Sequence, residues 1–196
     1  MNSDINNLVI VTEKLEQFGI NYSLGGSGLL LSLGLFNFAH DWDIMTDAPK
    51  ETIIDALRNF KVEELKSGDY PFGSEYKLLI HKRNPQVEIL GNFSIYSTKG
   101  LCKMPTVPTS SWNGVQVSAP EVWFVAYALM NRMDKANLLF SFLKNNGARN
   151  EILNKLMKEP LPDELLHNLE SLFIKHNEGL QYEKNYFLKC IYSYLY

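Results

Sequence analysis

Gly25-Gly26-Ser27-Gly28 stands between two apolar runs, Ile20 to Leu24 and Leu29 to Leu33, and no other feature narrows the possible folds of this chain as much. The run before the glycines predicts a short strand, and the run after them, closed by Gly34, predicts a short buried helix. Glycines at such a joint allow a tight turn and a close approach to the backbone. Upstream, Leu8, Val11, Leu15 and Phe18 recur on one side of a 3.6-residue period before Gly19, which predicts an amphipathic helix over residues 4–18. Downstream, Asp41-Trp42-Asp43-Ile44-Met45 alternates polar and apolar as a strand does. Pro49 then opens a helix carrying Ile53, Ile54, Leu57 and Phe60, with Asp47 as its expected cap.

Residues 61–65, 75–80 and 86–90 are three further strand candidates. The turn His81-Lys82-Arg83-Asn84-Pro85 between the last two predicts a hairpin, and hence a mixed sheet; its basic tip reads as a solvated turn. Residues 91–113 hold Pro105 and Pro108 without a sustained period and read as irregular, with one short strand near Phe93 to Tyr96. Ser118-Ala119-Pro120-Glu121 matches a capping box, after which the chain reads as helical to its end. Leu165, Leu166, Leu169, Leu172 and Phe173 make one apolar face there, and Tyr186, Phe187, Cys190, Ile191, Tyr194 and Leu195 another. The expected fold class is α/β in the α+β sense: a mixed sheet flanked by helices over residues 1–117, then a helical bundle over 118–196, closely packed and joined without a flexible linker.

Composition removes several function classes. With 19 Lys and Arg against 22 Asp and Glu among 196 residues, the net charge of −3 supplies no overall basic field for a long nucleic acid or an anionic bilayer. No apolar stretch approaches the roughly 20 residues that span a bilayer. Met1-Asn2-Ser3-Asp4 lacks the basic start and apolar middle of a signal peptide, so a cytoplasmic location is expected. Cys102 and Cys190, without CxxC or nearby histidine ligands, read as packed thiols.

The chemistry concentrates in two places. Residues two apart on a strand point the same way, so Asp41 and Asp43 project together and Trp42 turns to the other face. Two unit charges about 4 Å apart repel by about 4 kcal/mol at an effective dielectric near 20, which calls for a cation or a shared proton. Oxygen-only ligands favour Mg²⁺ or Mn²⁺, and Mg²⁺ takes further ligands from waters and substrate phosphates. The competing interpretation is a pair of solvated carboxylates on an edge strand. Gly25-Gly26-Ser27, between strand and helix, has the makings of a phosphate cradle, with exposed amides and a hydroxyl donor; by itself it is equally an ordinary tight turn. The thirteen residues 28–40 suit one short helix and a return loop that bring Asp41 beside Ser27.

Leu24-Gly25-Gly26-Ser27 followed by Asp41-Trp42-Asp43-Ile44 resembles the nucleotidyltransferase superfamily with the polymerase-β-like catalytic domain, which includes aminoglycoside and lincosamide nucleotidyltransferases. The pattern is an apolar residue, Gly, Gly or Ser, about ten residues, then Asp, apolar, Asp or Glu, apolar. The superfamily places a third acid on a later strand, and Val87-Glu88-Ile89-Leu90 fits, with Glu where many relatives have Asp. The resemblance covers residues 20–90 strongly and the segment Arg132-Met133-Asp134-Lys135 loosely. Two departures stand out: Phe38-Ala39-His40 replaces the Arg or Ser-Arg that many small members carry before the first Asp, and Trp42 is bulkier than the usual aliphatic residue.

The resemblance implies transfer of a nucleoside monophosphate from an NTP, ATP being the expected donor, to a hydroxyl of a small molecule or protein. Asp41, Asp43 and Glu88 would be catalytic and hold Mg²⁺ or Mn²⁺, while Gly25, Gly26 and Ser27 would bind the nucleotide. Arg132 and Lys135 either reach the triphosphate or form a charged interhelical turn. The alternative function is a nucleotidyltransferase-fold binding module without turnover.

Overall fold

A computed structural model describes residues 4–81 and 85–173. The basic turn at 82–84, the second C-terminal apolar face and Cys190 lie outside the described residues. In chain order the elements are α1 (Asn6–Gln17), β1 (Ser23–Leu24), α2 (Gly26–Ser32), β2 (Asp41–Thr46), α3 (Lys50–Ala56), β3 (Glu63–Leu65), β4 (Tyr76–His81) and β5 (Gln86–Gly91). There follow β6 (Ser94–Ser97), β7 (Gly100–Lys103), β8 (Pro108–Trp112), β9 (Val115–Ser118), α4 (Pro120–Leu129), α5 (Met133–Asn146) and α6 (Asn150–Leu156). Residues 163–173 are again helical.

Seven strands form one mixed sheet in the order β3-β4-β5-β2-β1-β9-β8. The β4/β5 hairpin is antiparallel, as the turn at 81–85 predicts, and β2 runs parallel to β5. β2 is therefore an interior strand, so its carboxylates do not sit on a solvated edge. Residues 91–113 are more ordered than expected. Antiparallel pairing of β6 with β7 makes a second small sheet, and β8 extends the large one. The two prolines hid this from the periodicity: Pro105 lies in the connection, and Pro108 begins an edge strand where a missing N–H costs no ladder bond.

The sheet separates two cores. Trp42, Ile44, Val87 and Ile89 face one side, where Leu8, Val11 and Leu15 of α1 and Ile53 of α3 cover them. Met45 and the partly buried Leu90 face the other, packed with Leu29 and Leu30 of α2 and with α4, α5 and α6. Leu165, Leu169 and Leu172 join that second core as their spacing predicts, and Cys102 is a buried thiol within it.

Two helix starts differ from expectation. Asp47 does not cap α3; Pro49 takes the cap position, and Asp47 instead accepts bonds from the Thr106 hydroxyl at 2.9 Å and its amide at 3.4 Å. Nor does Ser118 with Glu121 form a capping box. Ala119 is the N-cap of α4 without a side-chain bond, and the fully buried Glu121 accepts from the Arg149 amide at 2.7 Å, at the start of α6. A buried carboxylate needs donors, and those within reach belong to another helix.

Candidate active site

The strand-turn-helix joint is held at both ends. The Gly25 amide donates to the Asp43 carbonyl at 2.8 Å and its carbonyl accepts from Leu29 at 2.9 Å, fixing α2 against β2. Gly26 has φ +53°, and a Cβ there would fall on the Asp43 carboxylate; one at Gly25 would fall on the Trp123 indole. Both glycines are therefore required by close approach, one to the acid and one to α4. The Ser27 hydroxyl lies 3.3 Å from Asp41 Oδ1 and 3.4 Å from the Asp41 carbonyl, so the proposed cradle and the first acid touch directly.

Parallel pairing of β2 with β5 sets Asp41 opposite Gln86 and Asp43 opposite Glu88. Partners in a ladder point to the same face, so all three acids emerge on one side of the sheet while Trp42, Val87 and Ile89 are sealed on the other. Burial first, then the charges of Asp41 and Glu88, push the Asp43 carboxyl up to about 7, against the opposing pull of Lys77 and Arg132. Glu88 is not a bare acid. Its Oε2 pairs with Lys77 Nζ at 2.6 Å and its Oε1 accepts from Gln86 Nε2 at 3.0 Å.

These groups line a cavity of about 440 Å³ between the sheet face and the helices. Ser27, Asp41, Asp43 and Glu88 line it from the sheet and α2, and Arg132 and Lys135 line it from the α4–α5 turn and the first turn of α5. The Lys135 ammonium also lies over the rings of Phe36 and Tyr127, at 5.4 and 5.3 Å, which holds the charge beside the site. Sequence reasoning missed Lys77, Trp123 and Tyr127. Trp123 and Tyr127 are buried, yet the indole N–H and the phenol oxygen find no hydrogen-bond partner among the described residues. Burial also raises the Tyr127 pKa, keeping the phenol protonated as a donor. Helical spacing alone marks both only as core.

Asp41 and Asp43 fit a divalent ion by three features of this structure: oxygen-only donors, mutual repulsion that raises Asp43, and a glycine at the one place where a side chain would obstruct them. Among the described residues no group of three His, Cys, Asp or Glu side chains is assembled to hold a metal. A two-carboxylate site of this kind suits Mg²⁺ completed by water and phosphate oxygens.

The mixed sheet, its glycine-linked helix and the following helices are a nucleotidyltransferase fold. The chain is similar to a Thermotoga maritima protein described as a candidate nucleotidyltransferase, with 22% identity over 72% of this chain and 92% of that one and a TM-score of 0.52. It is also similar to the solution structure of the antibiotic-resistance factor ANT(2'')-Ia, with 12% identity over 93% of this chain and 97% of that one and a TM-score of 0.52. No family model matches the sequence, and no curated protein sequence does. No helix among the described residues is long and apolar enough to cross a membrane.

Proposed function

We propose that the protein is a metal-dependent nucleotidyltransferase that moves a nucleoside monophosphate from an NTP, ATP being the first candidate, to a hydroxyl of a small molecule or protein. The observation that supports it best is the convergence of Asp41, Asp43 and Ser27 on one cavity that Arg132 and Lys135 also line. Carboxylates for a cation, a hydroxyl beside them and two cationic side chains in the same cavity match the charge of a metal-bound triphosphate.

In this reading Asp41 and Asp43 hold Mg²⁺ or Mn²⁺, which offsets phosphate charge during displacement. Gly25 and Gly26 contribute to nucleotide binding by letting the turn close on Trp123 and Asp43 so that Ser27 faces the cavity; Ser27 donates to a phosphate oxygen, and Arg132 and Lys135 orient the triphosphate tail. The acceptor oxygen attacks the α-phosphorus; the bond from that phosphorus to the bridging oxygen breaks, and pyrophosphate leaves with the electron pair. Glu88, facing the same cavity, receives the acceptor proton. Positioning and charge supply the rate, so no covalent nucleophile is required.

Incubation with Mg²⁺ and each labelled NTP, with aminoglycosides, lincosamides or cell extract as acceptor source, tests the reading. Label transfer or pyrophosphate release is expected. Saturable nucleotide binding without either would establish the other possibility, a binding module that keeps the fold without turnover.

A further inference from the structure

We infer that the Lys77 ammonium occupies the role of a second metal ion, so that this protein works with one divalent ion at Asp41 and Asp43 and a fixed side-chain cation at Glu88. The inference rests on the nucleotidyltransferase reading above and adds the number of ions and the residue that sets it.

Three observations converge. Both oxygens of Glu88 are engaged by its own neighbours, Oε2 by Lys77 at 2.6 Å and Oε1 by Gln86 at 3.0 Å. The ion pair is shielded: the Glu88 side chain is only 10% exposed and that of Lys77 32%, so solvent screens it less than a surface pair. And its position is built by the sheet. Lys77 of β4 stands opposite Leu90 of β5, two residues beyond Glu88 and on the same face, so the ammonium reaches diagonally across the ladder to the carboxylate opposite Asp43.

The charge arithmetic follows. Three carboxylates on one face demand positive charge, and here one comes with the chain. An ammonium has three donors; Glu88 takes one, leaving capacity for an oxygen of the phosphate or acceptor. Unlike a metal ion it cannot draw several carboxylates into one coordination shell. Opening Glu88 to a metal would require breaking a shielded ion pair, leaving the lysine charge uncompensated. Lys77 is thus a positioning residue for Glu88 and a fixed source of charge stabilisation for the displacement.

Mn²⁺ titration of the full chain, read by the electron-spin resonance of free Mn²⁺ with and without α,β-methylene ATP, decides the matter. One Mn²⁺ per chain is expected, Glu88→Gln should leave its affinity within about twofold, and Lys77→Met should admit a second ion while Lys77→Arg retains one. The idea is overturned by two ions in the unmodified protein, by a loss of about tenfold or more in affinity on Glu88→Gln, or by a folded Lys77→Met protein that still holds one ion. Glu88→Gln remains decisive if Lys77→Met does not fold. Binding of no Mn²⁺ at all would remove the Asp41–Asp43 site, and with it both the enzyme reading and this one; two ions would remove only this one.

Discussion

The two faces of the central sheet are built from the same few strands and do opposite things. On one, Trp42, Ile44, Val87 and Ile89 are fully buried against α1 and α3. On the other, one residue away along each strand, Asp41, Asp43 and Glu88 line a cavity with Lys77. The difference lies in the two-residue period of a strand, which lets one stretch of sequence specify a sealed core and a charged site together. The apolar face thereby fixes the register that aims the acids.

Damage to the sealed face should cost most. Trp42→Ala removes a fully buried indole whose N–H donates to the Asp4 carbonyl at 3.2 Å, and should lower unfolding free energy by about 5 kcal/mol, at the top of the range for such deletions, in a denaturant titration. Its counterpart on the charged face, Asp43→Asn, should reduce label transfer by about a thousandfold, some 4 kcal/mol of barrier, with the far-ultraviolet circular dichroism unchanged; normal turnover would show that Asp43 has no part in the chemistry. Gly26→Ala tests the joint between the faces. The left-handed backbone alone should cost about 1–2 kcal/mol of stability, and nucleotide affinity should fall because the methyl group meets the Asp43 carboxylate.

A pH dependence confined to the charged face is the remaining test. The Asp43 pKa rises from 3.8 to about 7 on folding, so between those values the folded protein binds the proton that the unfolded chain has already lost. Stability of the metal-free protein should therefore fall as pH rises from about 4 to about 7 and level off above. Mg²⁺ should restore it at pH 8 and do little at pH 5, as melting temperatures would show; Asp43→Asn should flatten the profile.

Much of the fold was legible because its determinants are local. The apolar spacing of α1, the glycine joint, the alternation in β2 and the hairpin turn each act within a few residues. Trp42 was placed on the buried face by the period alone, and the structure puts it there. The short strand expected near Phe93 to Tyr96 is β6; less legible were β7, β8 and the starts of α3 and α4. Asp47 and Glu121 have the spacing of local caps but find donors at Thr106 and Arg149, far along the chain. Lys77 shows the limit most clearly. A bulge between Leu79 and His81 shifts the hairpin register, so counting back from the turn does not give its partner.

By itself the sequence determined the strand-glycine-helix unit and the side of β2 on which two carboxylates would stand, because backbone periodicity and glycine conformation are short-range properties. Only the tertiary structure decided that Glu88 lies opposite Asp43 with Lys77 bound to it, and that Trp123, Tyr127, Arg132 and Lys135 line the same cavity. Those neighbours depend on strand order and on which helix covers which face, and the packing of the whole chain sets both.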